Sequence, residues 1–170
     1  MSILSRNDIL ALINSDPPLV ESYLDLELQL QTNGFDLSLR SIAQLTSCGR
    51  LALDNKNRIV SSQHTLDFRA DGTIYLKPGC YSIIYNEIVH LPKDIMALGL
   101  SRSSLLRCGS SLHTAVWDAG YSGRSESLLV VHNPFGQELE KDARVLQLVF
   151  SRLTGKSQGY TGIYQGENIF

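Results

Sequence analysis

The feature that most constrains the fold is a series of short strand-forming runs separated by turn residues. These runs are rich in Val, Ile, Leu and Tyr, and they read FDLSLRSIAQL, TIYLKPGCYSIIYNEIV, IMALGLS, SESLLVVHNP and ARVLQLVFSRL. Short strands of this kind with few helical segments predict an all-β fold of the sandwich or jelly-roll type. Within the second run, the Pro78-Gly79 pair predicts a turn that joins two neighbouring antiparallel strands.

Two segments lie outside this strand pattern, one at each end of the chain. In SRNDILALINSD, Ser5 is followed three residues later by Asp8, ahead of apolar residues at helical spacing. This arrangement is typical of a helix start and predicts a short N-terminal helix. The tail TGKSQGYTGIYQGENIF, residues 154–170, has four glycines and little apolar periodicity. Such a tail is either disordered or ordered by something that it covers.

Length, composition and charge bound the domain count and exclude several classes of partner. A chain of 170 residues with 43% hydrophobic content suits one compact domain spanning residues 1–170. The net charge of −2, with Lys and Arg scattered, disfavours binding to nucleic acid or to a membrane surface. Because no run approaches the roughly 20 apolar residues of a membrane span and no secretion signal is found, we expect a cytoplasmic protein.

The cysteines carry no sign of a disulfide or of a metal site. Cys48, Cys80 and Cys108 are odd in number, form no CxxC pair and have no His at metal-ligand spacing. This favours reduced thiols in the cytosol and argues against structural zinc. Their default role is that of small apolar residues, so we predict that all three are buried.

The stretch SRSSLLRCG, residues 101–109, is a candidate phosphate-binding segment. Four of its side chains can donate charge-assisted or hydroxyl hydrogen bonds to phosphate oxygens: Arg102, Ser103, Ser104 and Arg107. The alternative is a plain helix start, with Ser101 or Ser103 as the cap and with Leu105 and Leu106 buried.

Two further stretches place polar groups in strands. NGFDLSLR puts Asp36 at the opening of a strand, where it either supports a hydrated magnesium ion or pairs with an arginine, and the pairing is favoured. ARVLQLVF alternates so that Arg144 and Gln147 interrupt a buried strand. Polar groups in such a run need partners, or a ligand that supplies them.

The stretch HTAVWDAGYSG, residues 113–123, places a single carboxylate in a tight hairpin. Asp118 stands between Trp117 and the Gly-flanked Tyr121. One interpretation is a turn aspartate that caps its own backbone, and the other is a functional acid. For Trp117 we expect core packing.

Taken in order, these stretches resemble the motifs of the dUTPase and dCTP deaminase superfamily. NGFDLSLR, SRSSLLRCG, HTAVWDAGYSG and ARVLQLVF are similar to its first four motifs, and GYTGIYQGE is similar to a fifth. The resemblance is greatest to the archaeal-type dUTP diphosphatases. It implies a distorted jelly-roll-like β-barrel that assembles as a homotrimer, with active sites at subunit interfaces. It also implies that residues 154–170 close over the nucleotide.

The same resemblance implies roles for individual residues in the hydrolysis of dUTP to dUMP and pyrophosphate. Asp118 would activate the attacking water, Mg²⁺ would be bound mainly through the triphosphate, and Asp36 would support the metal or Arg144 indirectly. Tyr121 would pack on the deoxyribose, and Tyr164 and Gln165 would contact the triphosphate. The implied substrate-binding residues are Arg102, Ser103, Ser104, Arg107, His113, Thr114, Ala115, Val116, Tyr121, Gln147, Tyr164 and Gln165.

Two alternatives to dUTP hydrolysis remain open at this point. The deaminases of this superfamily carry a glutamate on the strand after the third motif, and its expected position falls on Leu128 or Val130 here. Glu126 is the nearest carboxylate, and a bulge could re-aim it toward dCTP deamination, with dCTP converted directly to dUMP in a bifunctional enzyme. The second alternative is a non-catalytic nucleotide-binding trimer, against which the presence of Asp118 and Arg102 argues.

Overall fold

The computed structural model describes residues 2–169, so the ends of the predicted domain, Met1 and Phe170, lie outside the described residues. The described residues include three α-helices, α1 (Arg6–Ile13), α2 (Leu26–Gln29) and α3 (Ser103–Arg107), and one short 3₁₀ helix (Asn55–Asn57). The strands are β1 (Ser2–Ile3), β2 (Val20–Glu21), β3 (Leu30–Gln31), β4 (Gly34–Leu45), β5 (Gln63–Leu66), β6 (Thr73–Leu76), β7 (Gly79–Tyr85), β8 (Ile88–His90), β9 (Ile95–Ser101), β10 (Ser110–His113), β11 (Ser122–Gly123), β12 (Glu126–Val131), β13 (Gln137–Glu140) and β14 (Arg144–Arg152).

The predicted N-terminal helix is confirmed as α1. The Ser5 hydroxyl accepts a hydrogen bond from the Asp8 backbone N–H, and the Asp8 carboxylate accepts from the Ser5 N–H at 2.9 Å. This reciprocal capping satisfies two donors that the first helical turn leaves without partners. Ile9 and Ile13, one turn apart, bury their side chains against the sheet. The apolar face and the cap together fix where the helix begins and how it lies.

A nine-stranded antiparallel sheet forms the body of the molecule and curls on itself. Its central path runs β1-β14-β4-β7-β12-β10, with β9 also paired to β14 and with β3 and β5 paired to β4. The long strand β4 pairs with β14 through its first half and with β7 through its second half. The register shifts at Arg40 and again at Val145, and such bulges bend a strand and increase its twist. This curled sheet is the predicted jelly-roll-like β fold.

The concave face of the curl holds the apolar core. Phe35, Tyr85 and Phe150 are among its largest fully buried side chains. They come from β4, β7 and β14, and β4 is covered on both faces along its first half, because its first six residues are all buried. Across the described residues, no helix is long and apolar enough to cross a membrane.

The predicted pairing across Pro78-Gly79 is wrong. The strand before the turn, β6, pairs with β13 in a separate ribbon, and the strand after it, β7, pairs with β4 and β12. Both hydrogen-bonding edges of β7 are therefore occupied, which leaves no edge for β6. The chain crosses from the ribbon into the main sheet at this turn instead of folding back as a hairpin.

The predicted burial of the three cysteines is also wrong, since Cys48, Cys80 and Cys108 are all exposed free thiols. Cys80 follows Gly79 on β7 and precedes the inward-facing Tyr81, so strand alternation directs its side chain outward. Cys108 stands at the C-cap of the five-residue helix α3, and Cys48 follows the end of β4.

Candidate active site

A cavity of about 290 Å³ opens beside residues 113–123, the segment that contains Asp118 and is called the hairpin below. The predicted pairing of its two arms is wrong, because β10 pairs with β12 and β11 pairs with β8, and the segment turns back only between Asp118 and Tyr121. Its wall combines hairpin residues, the start of β12 and the C-terminal tail. The lining residues are Ala115, Val116, Trp117, Asp118, Tyr121, Ser125, Glu126, Tyr160, Tyr164 and Glu167. A mixed apolar and carboxylate wall of this size is typical of a small-molecule site.

The hairpin presents Asp118 to this cavity through backbone bonds on either side of it. Trp117 and Ala97 exchange two hydrogen bonds of 3.0 and 3.1 Å, and the Tyr121 N–H donates to the Asp118 carbonyl at 3.0 Å. Within residues 2–169 the Asp118 carboxylate itself accepts no hydrogen bond, and the residue is exposed. The interpretation of Asp118 as a cap of its own turn is therefore wrong. Its carboxylate oxygens are available to water or ligand.

A chain of hydrogen bonds runs beneath the cavity. The indole N–H of Trp117 donates to the Ser125 hydroxyl, which lies 3.2 Å from the Tyr121 hydroxyl. The Tyr121 hydroxyl in turn donates to the Glu167 carboxylate at 2.8 Å. Trp117 and Tyr121 are 4% and 6% exposed, so both rings are held as parts of the core, as predicted for Trp117. No sequence motif predicts a role for Ser125 or Glu167 in this chain of bonds.

Glu167 lies in an environment that disfavours its charge. Burial raises the pKa of the Glu167 carboxyl, the hydrogen bond from Tyr121 opposes that rise, and the nearby charge of Glu126 adds to it. Burial likewise raises the pKa of the Tyr121 phenol. In the sequence, Glu167 is marked only by its place at the end of the tail motif GYTGIYQGE.

Glu126 faces the same cavity as Asp118. Its carboxylate accepts hydrogen bonds from the Gln63 amide at 2.6 Å and from the Ser82 hydroxyl. It also lines an adjoining cavity of about 390 Å³ that includes His113. The strand position therefore does bring this second carboxylate to the cavity, where donors from β5 and from the neighbouring strand β7 hold it.

A separate ion-pair cluster contains Asp36. The Asp36 carboxylate, 1% exposed, lies 3.1 Å from Nε of Arg102 and 3.3 Å from Nη1 of Arg144. Gln147 is the register partner of Asp36 on β14. Burial raises the pKa of the Asp36 carboxyl, and the two guanidinium charges oppose that rise. The favoured interpretation, that Asp36 pairs with arginine, is confirmed, and Arg144 has the partner that a polar group in this strand requires.

A buried polar network supports β4 beside this cluster. The Gln29 amide donates to the Asp36 carbonyl at 2.9 Å and to the Glu87 carboxylate at 2.6 Å. Glu87 also accepts from the Ser38 N–H and hydroxyl, at 2.8 and 2.6 Å. Burial raises the pKa of Glu87, and these hydrogen bonds oppose the rise. The network fixes the backbone on both sides of Asp36, and no local pattern in the sequence indicated it.

The residues after Arg102 form the helix α3, which presents polar groups to solvent. Ser103, Ser104 and Arg107 are exposed. The predicted serine cap is wrong, because Arg102 is the N-cap residue and makes no side-chain capping bond. Leu105 is buried as predicted, whereas Leu106 is 53% exposed, since adjacent helical positions point about 100° apart and α3 buries a single face.

The predicted site residues therefore fall into two groups on one chain. Ala115, Val116, Asp118, Tyr121 and Tyr164 line the first cavity, and His113 lines the adjoining one. The second group lies outside the lining of both cavities and comprises Arg102, Ser103, Ser104, Arg107 and Gln147.

Two further predicted residues make contacts of their own. The Thr114 hydroxyl donates to the Gly99 carbonyl at 3.4 Å. The Gln165 amide binds the hairpin at two points, donating to the Gly120 carbonyl and accepting from the Ser122 N–H, both at 3.1 Å. Gln165 therefore joins the tail to the hairpin in this structure.

Comparison with known proteins finds similar sequences and a similar solved structure. The sequence profile of the family described as dCTP deaminase-like matches residues 3–153. A protein of Methanococcoides burtonii named "Probable deoxyuridine 5'-triphosphate nucleotidohydrolase" is 49% identical over 170 residues, covering 99% of this chain and 100% of the relative. A protein of Archaeoglobus fulgidus with the same name is 48% identical over 169 residues, covering 99% of each chain.

Among solved structures, the crystal structure of 2'-deoxycytidine 5'-triphosphate deaminase from Agrobacterium tumefaciens is similar, with a TM-score of 0.68 and 26% sequence identity. The match covers 89% of this chain and 49% of that one, so this chain spans about half the length of the solved protein.

Proposed function

The chain belongs to the dCTP deaminase-like family, and we propose that within it the protein is a dUTP diphosphatase, which hydrolyses dUTP to dUMP and pyrophosphate. The observation that carries this proposal is the exposed Asp118 carboxylate at the edge of the cavity, without a hydrogen-bond donor from residues 2–169. A carboxylate so placed can bind and deprotonate water. The names given to two relatives that match nearly the whole chain support the same activity.

The proposed step is attack of water on the α-phosphorus. Asp118 accepts a proton from the water as its oxygen bonds to phosphorus, and the bond from phosphorus to the bridging oxygen breaks. That oxygen leaves with the β- and γ-phosphates as pyrophosphate. Positioning and electrostatic stabilisation provide most of the rate in such a reaction. The hairpin bonds on both sides of Asp118 supply that positioning.

Nucleotide recognition follows from the cavity wall. The hairpin backbone from His113 to Val116 reads the uracil edge, and paired donors and acceptors there reject cytosine by leaving groups unpaired. Tyr121 packs on the deoxyribose face. Its ring is held by the hydroxyl contacts to Ser125 and Glu167, so it cannot turn aside for a 2'-hydroxyl.

Magnesium is the proposed cofactor, carried mainly by the triphosphate. Residues 2–169 contain no group of three or more His, Cys, Asp or Glu side chains placed to hold a metal ion. Mg²⁺ keeps several waters and binds through substrate phosphates, so it needs few protein carboxylates, and the cavity wall offers Asp118. When bound, the ion neutralises charge on the phosphate oxygens. Asp36 acts only indirectly, because two arginines hold its carboxylate.

The separation of the two groups of site residues supports a homotrimer with sites between subunits. Arg102, with the serines of α3 beside it, lies outside the cavity of its own chain, so a complete site needs the phosphate-binding group of a second copy. Leu98, Leu100 and Val116 are at least half exposed, and an interface would cover such apolar side chains.

Mixing two inactive variants tests this assembly. When chains with Asp118→Asn and chains with Arg102→Ala are unfolded and refolded together in equal amounts, we expect about a quarter of the wild-type activity, because each interface site draws its two intact residues from chains that are each half of the pool. Sites built within one chain would regain nothing. Each variant refolded alone is the control, and a mixture as inactive as both would contradict interface sites.

The cytoplasm is the proposed location. The three exposed free thiols fit a reducing compartment, and deoxynucleotide substrates are found there.

The first experiment is to incubate the purified protein with Mg²⁺ and either dUTP or dCTP, and to measure pyrophosphate and ammonia separately. Pyrophosphate from dUTP without ammonia from dCTP is the expected result, and chelation of the metal should abolish it. Release of neither product at saturating nucleotide would contradict the proposal and favour the non-catalytic trimer.

One observation favours a second function, the deamination of dCTP. Glu126 shares the cavity with Asp118, where a carboxylate could transfer protons during attack of water on the cytosine ring. If deamination occurs, Glu126→Gln should abolish ammonia release from dCTP and leave pyrophosphate release from dUTP within a few-fold of wild type. Glu138→Gln, an exposed glutamate on β13, is the matched control. Equal loss of both products would show that Glu126 acts only in structure.

A further inference from the structure

The C-terminal tail lies along the hairpin of its own chain and is joined to it by backbone hydrogen bonds. Tyr160 N–H donates to the Ala119 carbonyl and Gly166 N–H donates to the Ser122 carbonyl, both at 2.8 Å. Gly120, at φ 86°, makes the close approach possible, since a Cβ there would lie 2.7 Å from the Gly159 Cα. The tail is thus ordered by the segment that it covers.

The end of this contact is a reciprocal pair, the Arg124–Asn168 clasp. The Arg124 N–H donates to the Glu167 carbonyl and Nε donates to the Asn168 carbonyl, both at 2.9 Å. In return, Nδ2 of Asn168 donates to the Arg124 carbonyl at 3.1 Å. Asn168 adopts φ 53°, a left-handed conformation that asparagine tolerates better than most residues.

The guanidinium of Arg124 is anchored in the core at its other end. Nη1 donates to the backbone carbonyls of Asn86 and Tyr85, where β7 ends. Arg124 is 7% exposed, and its guanidinium bonds to protein carbonyls at both ends, through Nη1 at the end of β7 and through Nε in the tail. Burying a charged group without an acceptor costs free energy. Departure of the tail would therefore leave Nε of Arg124 either exposed to water or buried without an acceptor.

We infer that Arg124 is a positioning residue, which holds residues 165–168 on the hairpin so that Tyr164 and Glu167 are fixed walls of the cavity before nucleotide binds. The fork of Arg124 joins three segments: the end of β7, the hairpin and the tail. Glu167 immediately precedes Asn168, so the clasp places its carboxylate against the Tyr121 hydroxyl. A tail without the clasp would have to be ordered by the ligand, at a cost in affinity.

Two variants test the clasp, and both keep the full chain. Asn168→Ala removes the return hydrogen bond at a partly exposed position. Arg124→Lys keeps the charge but cannot reach the core and tail carbonyls at once. The controls are Thr161→Ala, an exposed tail residue, and Arg69→Lys, an arginine in an exposed ion pair. Amide hydrogen exchange of the peptide spanning residues 160–169 and fluorescence of Trp117, the single tryptophan, report on the tail.

In both clasp variants, the tail amides should exchange their hydrogens about tenfold faster than in wild type, which is the effect of losing roughly one net hydrogen bond. Trp117 emission should change with them, because Trp117 is the first member of the hydrogen-bond chain that ends at Glu167. If Arg124→Lys fails to fold, Asn168→Ala still decides. Tail exchange in Asn168→Ala equal to that in Thr161→Ala would overturn the inference.

The kinetic consequence rests on the proposed function. Asn168→Ala should raise KM for dUTP several-fold and change kcat less, since the clasp orders the tail before binding rather than taking part in the chemical step. Faster tail exchange in a protein whose wild type hydrolyses no dUTP would uphold the clasp and reject the proposed function. If tail exchange in the variants is unchanged while the wild type hydrolyses dUTP, the clasp is rejected and the proposed function is upheld.

Discussion

Replacing Asp118 with Asn should lower kcat for dUTP hydrolysis by about a thousandfold, the typical contribution of a general base. The amide has nearly the shape of the carboxylate but cannot accept the proton of the attacking water. The hairpin bonds around residue 118 are made by the backbone, so the variant should fold and bind nucleotide with little change in KM. Steady-state release of pyrophosphate measures both parameters.

The control for this variant is Asp67→Asn, the same substitution at an exposed position outside the cavity lining. It should hydrolyse dUTP at the wild-type rate. Asp118→Asn with activity within a few-fold of wild type would mean that another group deprotonates the water, and Glu126, in the same cavity wall, would be the next candidate.

The parts of the fold that sequence predicts well are those in which neighbouring residues carry the signal. Strand β14 is marked by an apolar run, ARVLQLVF, interrupted by Arg144 and Gln147, and α1 has its cap and apolar face within nine residues, so each could be identified alone. The pairing of strands cannot be predicted from neighbouring residues in this way. That β6 joins β13 rather than β7 depends on which edges β4 and β12 occupy, and these strands are far away in sequence.

The same distinction applies to the candidate site, where residues within one motif can be predicted and residues with distant partners cannot. Asp118 and Tyr121 were identified because one short motif contains both of them. Arg124 stands only one residue beyond that motif, yet its partners are Asn86 and Asn168, 38 and 44 positions away. In the sequence, Arg124 next to Gly123 resembles a surface residue. Its burial is apparent only in the folded chain, where the tail and the end of β7 pack against it. Burial of charge is a property of the assembled fold, and no local pattern reports it.

Replacing Asp36 with Asn should lower the free energy of unfolding by about 2 kcal/mol, since it leaves the partly buried guanidinium groups of Arg102 and Arg144 without their carboxylate partner. The figure is below the value for a fully buried pair because Arg102 and Arg144 are 29% and 30% exposed. The substitution also frees Arg102, so KM for dUTP should rise. Chemical denaturation and steady-state kinetics measure the two effects.

The ion pair of Asp94 and Arg152, 27% and 46% exposed and 2.6 Å apart, supplies the matched control, since its carboxylate reaches solvent whereas that of Asp36 is buried. Asp94→Asn should cost less than about 1 kcal/mol, because solvent screens such pairs. If Asp36→Asn costs no more than Asp94→Asn, the cluster does not stabilise the fold. If it costs stability but leaves KM unchanged, Asp36 stabilises β4 and β14 alone, and Arg102 does not need its partner to bind phosphate. A rise in KM together with the loss of stability would show that the buried carboxylate serves the site by orienting Arg102.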